Sequence, residues 1–356
     1  MKPLIKNQIA LHRLHNQQIA LHSFHTPQEI VAHLGAVQAQ DYEMAKWAIG
    51  ARLHNSHNDL IEQALNTHTI FRTHILRPTW HLVAATDIKW MLALTAPHVL
   101  KLLNPSLKKV GFDEHILQRI IKIIQKVLAQ KTALTRTEII TQLALQGIKT
   151  DELHASHIMM YAELKGIVCN GPKKDKQQTY LLLDELVTSD TSLNREESLG
   201  KLAKRYFVSH GPATLQDFIW WSGLGVKDAR LGLESIKHEL LYEKIEEQEY
   251  WFESLQTIPT KQKSQTYFLP AFDQYIIGYK DRTASLHPTH FSNVITNNGI
   301  FKPSIVRNGE VIGTWKRTIK KDQVLIEPTF FDTANQLNSK ELNKATQLVE
   351  TFLKAR

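Results

Sequence analysis

Between Lys131 and Leu183 the spacing of apolar residues changes from a helical period to short extended runs, and that change predicts one complete supersecondary unit. Thr135-Arg136-Thr137-Glu138 has the spacing of a capping box, and it opens a helix through Ile139, Ile140, Leu143 and Leu145 that Gly147 ends. A turn through Lys149 to Asp151 leads to a second helix running to about Lys165 and Gly166, with Ile158, Met159, Ala162 and Leu164 as its core positions. Ile167-Val168-Cys169 and Tyr180-Leu181-Leu182-Leu183 then read as two strands flanking a polar tip that carries Lys173, Lys174 and Lys176. Helix, turn, helix and a ribbon with a basic tip make a winged helix.

The same order is written twice more, less cleanly. Near the start, Thr26-Pro27 sets up a helix ending at Gly35, Asp41 caps another through Trp47 to Leu53, and a third runs from Asp59 to Asn66. Ile70 to Leu76 and Trp80 to Ala84 form a hairpin around Arg77-Pro78. Farther on, a helix with Lys201, Lys204 and Arg205 precedes Gly211-Pro212, Thr214 caps a short helix through Trp221, Ser222-Gly223 breaks it, and another helix starts at Val226. From about Lys261 the pattern turns to strands with an Asn308-Gly309 hairpin signal, and Ser339 to Lys354 is helical. The expected fold is therefore α+β, mainly α with small β-hairpins. It comprises three tandem winged-helix units over residues 1–125, 126–190 and 191–260 and a β-rich C-terminal region over 261–356, packed into one body because no low-complexity linker separates them.

Composition narrows the class. A chain of 356 residues with 42% hydrophobic and 22% charged residues has ample core, and no stretch approaches the roughly 20 apolar residues of a bilayer span. The N-terminus lacks the sustained apolar region of a secretory signal, and a single cysteine, Cys169, excludes an internal disulfide, so a reducing cytoplasm is expected. A net charge of +8 and a pI near 9.3 favour a polyanionic partner without distinguishing nucleic acid from an anionic surface.

Familiar catalytic signatures are missing. There is no Walker-type phosphate loop, no Gly-x-Gly-x-x-Gly, no His-Glu-x-x-His and no Cys-x-x-Cys, and Cys169 falls among apolar residues of a predicted strand, where a thiol is structural. A near-duplication, Ile9 to His15 and Ile19 to His25, sets His12 with His15 and His22 with His25 as i, i+3 pairs that can share a helix face; because structural zinc sites normally recruit thiolates, no metal is expected. The informative segment is Leu34 to Tyr42. Gln38 and Gln40 fall in the break between two helices, and in extended backbone residues i and i+2 project to the same side, so both amides can converge on one ligand or water. Two solvated loop glutamines would leave the same trace in the sequence.

Across these blocks the chain resembles the AlkZ-like winged-helix DNA glycosylases, whose relatives include the YcaQ branch. The resemblance is carried by Leu34-Gly-Ala-Val-Gln-Ala-Gln-Asp-Tyr42 with Trp47 and Arg52, by Arg72-Thr73 and Leu76-Arg-Pro-Thr-Trp-His-Leu-Val83, and by Thr135-Arg136 with Glu138. It continues in Leu164 to Gly171, His210 to Asp217 with Trp221 to Leu224, Leu269 to Arg282, and Gly313-Thr-Trp315. The resemblance implies a C-shaped body cradling duplex DNA, with catalysis assigned to a Gln-x-Gln motif, here Gln38-Ala39-Gln40. The sister branch has aspartate at the second position, so Gln40 aligns the chain with the AlkZ-like group, whereas Pro78 replaces the glycine usual in the hairpin.

Physical chemistry limits what such a pair can do. An amide does not titrate, so it orients and polarises but is no strong base. That suffices for a leaving group already activated, such as a cationic N7- or N3-alkylpurine, with Gln38 and Gln40 holding a water and stabilising charge on the sugar. Neutral lesions such as uracil should be poor substrates. The expected protein is thus a monofunctional glycosylase, monomeric and nucleoid-associated, acting on double-stranded DNA with alkylated bases and bulky adducts or crosslinks, without cofactor or membrane. Phosphate contacts are expected from Lys173, Lys174, Lys176, Lys204, Arg205, Arg230, Lys316 and Arg317, and contacts near the lesion from Arg77, His81 and Tyr42. Asp273 and Arg282 read as a structural pair, and Trp80, Trp220 and Trp221 as core. A regulator or a damage-binding protein without catalysis would share most of these features.

Overall fold

The computed structural model describes residues 8–129, 132–188, 193–254, 265–320 and 323–354. After α1 (Ile9–Asn16), a first set of elements runs α2 (Pro27–Leu34), β1 (Val37–Gln38), α3 (Tyr42–Gly50), α4 (Asn58–Asn66), β2 (Ile70–His74) and β3 (Trp80–Ala84), with the antiparallel sheet ordered β1-β3-β2. Two long helices, α5 (Ile88–Lys109) and α6 (Glu114–Leu128), lead to β4 (Leu134–Thr135), α7 (Arg136–Leu145), α8 (Glu152–Leu164), β5 (Val168–Lys174) and β6 (Gln177–Leu182), ordered β4-β6-β5. Past the single turn α9 (Leu183–Leu186) come α10 (Arg195–His210), α11 (Leu215–Ser222), α12 (Val226–Ile236) and the hairpin β7 (Leu241–Ile245) with β8 (Gln248–Phe252). Here a single bridge from Ala213 to Trp251 replaces the short strand. Helix, short strand, two helices and hairpin thus recur three times, and each time the short strand pairs with the last strand of its hairpin. The final part comprises β9 (Thr266–Leu269), α13 (Gln274–Ile277), α14 (Phe291–Val294), β10 (Ser304–Arg307), β11 (Glu310–Lys320), β12 (Gln323–Phe330) and α15 (Ser339–Lys354). Its four strands lie in the order β12-β11-β10-β9.

Local signals account for the boundaries. Capping boxes open α2, α7, α10 and α11 from Thr26, Thr135, Asn194 and Thr214, each satisfying backbone donors that a helix start leaves free. Two-residue turns with positive φ at both positions close β5–β6 at Asp175-Lys176 and β10–β11 at Asn308-Gly309, matching the right-handed twist of the strands. The β7–β8 hairpin was not read from the sequence: β7 buries no residue and β8 buries Tyr250, Trp251 and Phe252 in one run, so neither shows the apolar alternation that announces a strand.

The C-terminal sheet packs into the same body as the rest, as expected: Phe268, Ile305, Trp315 and Phe352 share one core with Leu34, Trp47 and Leu82 of the first unit. Trp47 Nε1 donates to the Phe268 carbonyl at 2.7 Å, and the Trp47 and Phe352 rings lie 5.1 Å apart. Two other expectations are revised. Asp273 is paired with Arg52 through two bonds of 2.9 Å, both side chains buried, and not with Arg282. His12 and His15 lie in α1, but that helix ends at Asn16, so His22 and His25 share no helix face. The expected boundaries at 190/191 and 260/261 lie outside the described residues. Among the described residues, no helix is long and apolar enough to cross a membrane.

Candidate active site

The Gln38–Gln40 segment is unwound, as convergence of two i, i+2 side chains requires. Gly35, at φ +78°, ends α2 and faces the Trp221 ring of α11, which a Cβ would approach to 3.2 Å. The chain then pairs with β3, Val37 opposite Leu82 and Gln38 opposite His81. Asp41 ends the break by accepting the Met44 N–H at 3.0 Å and capping α3.

The peptide between the two glutamines is held at both of its polar ends. The Ala39 N–H donates to the Trp80 carbonyl at 2.7 Å, and its carbonyl accepts from Arg72 Nε at 3.1 Å and Nη2 at 2.9 Å. The Arg72 guanidinium lies 4.2 Å over the Trp80 ring and is half-buried, so a fork that would otherwise wander is clamped by stacking and by a two-donor bond. Arg72 was seen in the sequence only as part of the resemblance; a contact across 33 residues has no local signal.

The two amides occupy different environments. Gln38 is 5% exposed, and its Oε1 accepts from Arg77 Nη2 at 2.9 Å; because arginine only donates, this bond fixes which way the amide faces. Gln40 is exposed. Opposite Gln38, His81 is 1% exposed and bonded through Nδ1 to the Thr79 carbonyl at 2.9 Å. Burial, and then the charge of Arg77, lower its pKa to about 3, so the imidazole is neutral at ordinary pH. It belongs to the sheet beside the motif and is not open to solvent. Thr73, the partner of His81 on β2, continues the same row, and its buried Oγ1 has no partner among the described residues.

Next to the motif a polar network ties in the second unit. Tyr42 Oη donates to Glu62 at 2.8 Å, Lys46 pairs with Glu43 and Glu62 at 2.9 Å each, and Lys173 reaches Glu43 at 3.3 Å while lying 3.6 Å over the Tyr42 ring. Burial and the Glu62 charge push the Tyr42 phenol well above its usual pKa, so it remains a donor. Behind it, His74 and the fully buried Glu163 form a hydrogen-bonded pair that joins β2 to α8.

The predicted phosphate contacts divide by what neutralises them. Lys174 pairs with Glu138 at 2.6 Å, Lys204 with Glu239, and Arg205 bonds the Ala32 carbonyl and Asp87, the latter at 3.3 Å. Arg205 thereby braces α10 against α2. Lys176, Lys316 and Arg230 are exposed, and Arg317 is half-buried on β11. Trp221 is core, bonded to Gln274 at 3.0 Å, whereas Trp220 is only half-buried and lies near three cations. Cys169 is fully buried, with its thiol pushed above its usual range by burial, which leaves it inert.

This chain is similar to known DNA glycosylases. The family described as DNA glycosylase AlkZ-like matches residues 31–352. The chain belongs to that family. A relative named interstrand DNA cross-link repair glycosylase, from Streptomyces sahachiroi, is 24% identical over 351 residues, covering 92% of this chain and 91% of its own length. The solved structure of Streptomyces sahachiroi DNA glycosylase AlkZ has the same fold, with a TM-score of 0.78 at 21% identity over 99% of this chain and 97% of that one.

Proposed function

We propose that the protein hydrolyses the N-glycosidic bond of cationic N7- or N3-alkylated purines in duplex DNA, with Gln38 and Gln40 as catalytic residues, and that, like the cross-link repair relative, it accepts bulky or crosslinked adducts. The observation that carries this reading is the rigid, unwound Gln38-Ala39-Gln40 peptide, which sets one amide in a buried row and the next at the surface. Gln40 reaches solvent and holds the attacking water; Gln38, its carbonyl partly satisfied by Arg77, is the fixed reference against which that water and the sugar are placed. Neither amide takes a full proton, and His81 is held neutral, so the apparatus suits a departing base that is already positively charged. The neighbouring Lys46 amine is tied to two carboxylates, in keeping with a monofunctional hydrolysis rather than an imine route.

The three helix–hairpin repeats act as winged-helix units along the duplex, the second opening with α6, so that the expected 125/126 boundary moves to before Glu114, and the protein works as a monomer. Lys176, Lys316, Arg317 and Arg230 supply backbone contacts. The test is release of N7-methylguanine from a methylated duplex by the intact protein, leaving an abasic site, and by a Gln38→Ala, Gln40→Ala double variant. The variant is expected to bind the duplex and lose release. A wild-type protein that binds without releasing base would instead be a damage reader, and a fully active double variant would remove the two glutamines from the mechanism.

A further inference from the structure

Beside Gln38 the structure gathers three cations that make no close ion pair among the described residues, the charges of Asp217 and Asp281 acting on Arg282 only from farther away. Arg77, in the β2–β3 turn, lies 5.8 Å from the Trp220 ring centre; Lys280 and Arg282, in the loop after α13, lie 5.2 and 5.1 Å from it. Among the described residues none of the three forms an ion pair. Among these residues Arg77 makes its side-chain bond to Gln38, Arg282 donates to the carbonyls of Ile276 and Lys280 at 3.0 and 3.1 Å, and buried Arg77 Nε and Arg282 Nη2 have no hydrogen-bond partner among the described residues. The nearest carboxylates are engaged elsewhere: Asp217 pairs with Arg13 at 3.7 Å and accepts the Lys280 and Asp281 N–H groups, while Asp281 turns back on Thr283. Burial and the facing Arg282 depress Arg77 to about 10, the mark of like charges held together in a dry place.

The arrangement is fixed. Trp220 Nε1 donates to the Ile277 carbonyl at 2.9 Å, and Asp217, one turn earlier on α11, holds the 280–281 backbone at 2.8 and 3.1 Å. Gly223, at φ +71°, lets the end of α11 close on the turn, where a Cβ would stand 2.7 Å from the Leu76 carbonyl and 3.0 Å from Arg77 Cγ. Three segments far apart in sequence are therefore locked so that the cations of two of them face one another over the half-buried indole of the third.

We infer that Arg77, Lys280 and Arg282 over Trp220 form a phosphodiester site for the DNA backbone beside the lesion nucleotide. The inference rests on the reading of Gln38 and Gln40 as a glycosylase centre, and it also removes a difficulty in that reading. A cationic purine leaving a sugar that becomes positive would be repelled by a cluster that is only partly compensated and lies one hydrogen bond from Gln38. A phosphodiester is the anion that DNA itself carries to this place. Seated there it neutralises the cluster, satisfies the orphan guanidinium donors, and sets a negative charge close to the sugar where positive charge develops.

The test uses full-length protein and duplexes that carry one N7-methylguanine and a single neutral methylphosphonate linkage stepped through the flanking positions. Wild type should bind more weakly when the neutral linkage falls next to the lesion, and its salt slope there should become shallower by about 0.9, the share of one neutralised phosphate. Lys280→Gln and Arg282→Gln should show that shallower slope on unmodified duplex and be indifferent to the linkage at that position, while Arg282→Lys restores sensitivity. Lys280 is exposed and its side chain forms no hydrogen bond among the described residues, so Lys280→Gln tests the site even if Arg282→Gln disturbs the loop. A flat linkage scan, or variants that stay as sensitive as wild type, overturns the phosphate site while leaving base release, read in the same tubes, as evidence for the glycosylase. Absence of base release from every duplex overturns both.

Discussion

Replacing Arg72 tests the claim that a rigid peptide, and not the two glutamines alone, makes the centre. Arg72→Ala removes two charge-assisted bonds to one carbonyl, at 3.1 and 2.9 Å, and the stacking on Trp80 at 4.2 Å. A hydrogen bond from a charged donor contributes about 1.5–3 kcal/mol and an exposed cation–π contact about 0.5–1 kcal/mol. Since both donors share one acceptor, and water can replace part of the interaction, roughly 2–3 kcal/mol of constraint on the Ala39 peptide disappears. At 1.36 kcal/mol per tenfold, excision should slow by roughly 30- to 150-fold. The glutamines keep their chemistry and the DNA surface is untouched, so duplex affinity should move by less than about threefold, or about 0.65 kcal/mol. Single-turnover release of N7-methylguanine with saturating protein reads the first quantity, anisotropy with an undamaged duplex the second, and urea unfolding shows whether the variant is folded. Arg72→Lys, which keeps the charge without the planar fork, should fall between the two. A folded Arg72→Ala protein that binds normally and excises within threefold of wild type would refute the argument that orientation of this peptide limits the reaction.

Two further outcomes follow from buried charge. His81 and His210 are both lowered to about 3 by burial, so the native state excludes a proton that the unfolded chain takes up near pH 6.5; stability is full above that pH and is lost progressively as pH falls from 6.5 toward 3. Urea unfolding between pH 6.5 and 5.5 should show a drop of about 1 kcal/mol for each of the two groups, and a constant unfolding free energy over that range would contradict their buried, neutral state. Asp273→Ala leaves Arg52, fully buried, without its carboxylate, and should cost about 3–5 kcal/mol in the same assay; a decrease below about 1 kcal/mol would mean that water or a rearranged side chain already reaches the pair.

Much of the candidate site was legible because its signals are short-range. The break that carries Gln38 and Gln40 is announced by Gly35 on one side and the Asp41 cap on the other, and both act within three or four residues. The Arg77-Pro78 turn was legible for the same reason. Hidden from the sequence were Arg72 on the Ala39 carbonyl, Arg77 on Gln38, and the grouping of Lys280 and Arg282 with Trp220, which had read as an ordinary core residue. These contacts join segments brought together only when the β2–β3 hairpin, α11 and a distant loop pack. The lysines of the β5–β6 ribbon show the same limit: Lys173 and Lys174 read as free cations, yet Glu43 and Glu138, 130 and 36 residues away, neutralise them.

The amino-acid order by itself determined the succession of helices and hairpins and where the chain must unwind, because caps, turns and apolar periods are properties of neighbouring residues. The folded structure alone decided which glutamine is buried and which meets solvent, which cations are cancelled and which make no ion pair among the described residues, and that the C-terminal sheet completes the first core. Burial and charge compensation depend on what lies across a contact, and that is fixed only when segments hundreds of residues apart meet, as Arg52 and Asp273 do across 221 positions.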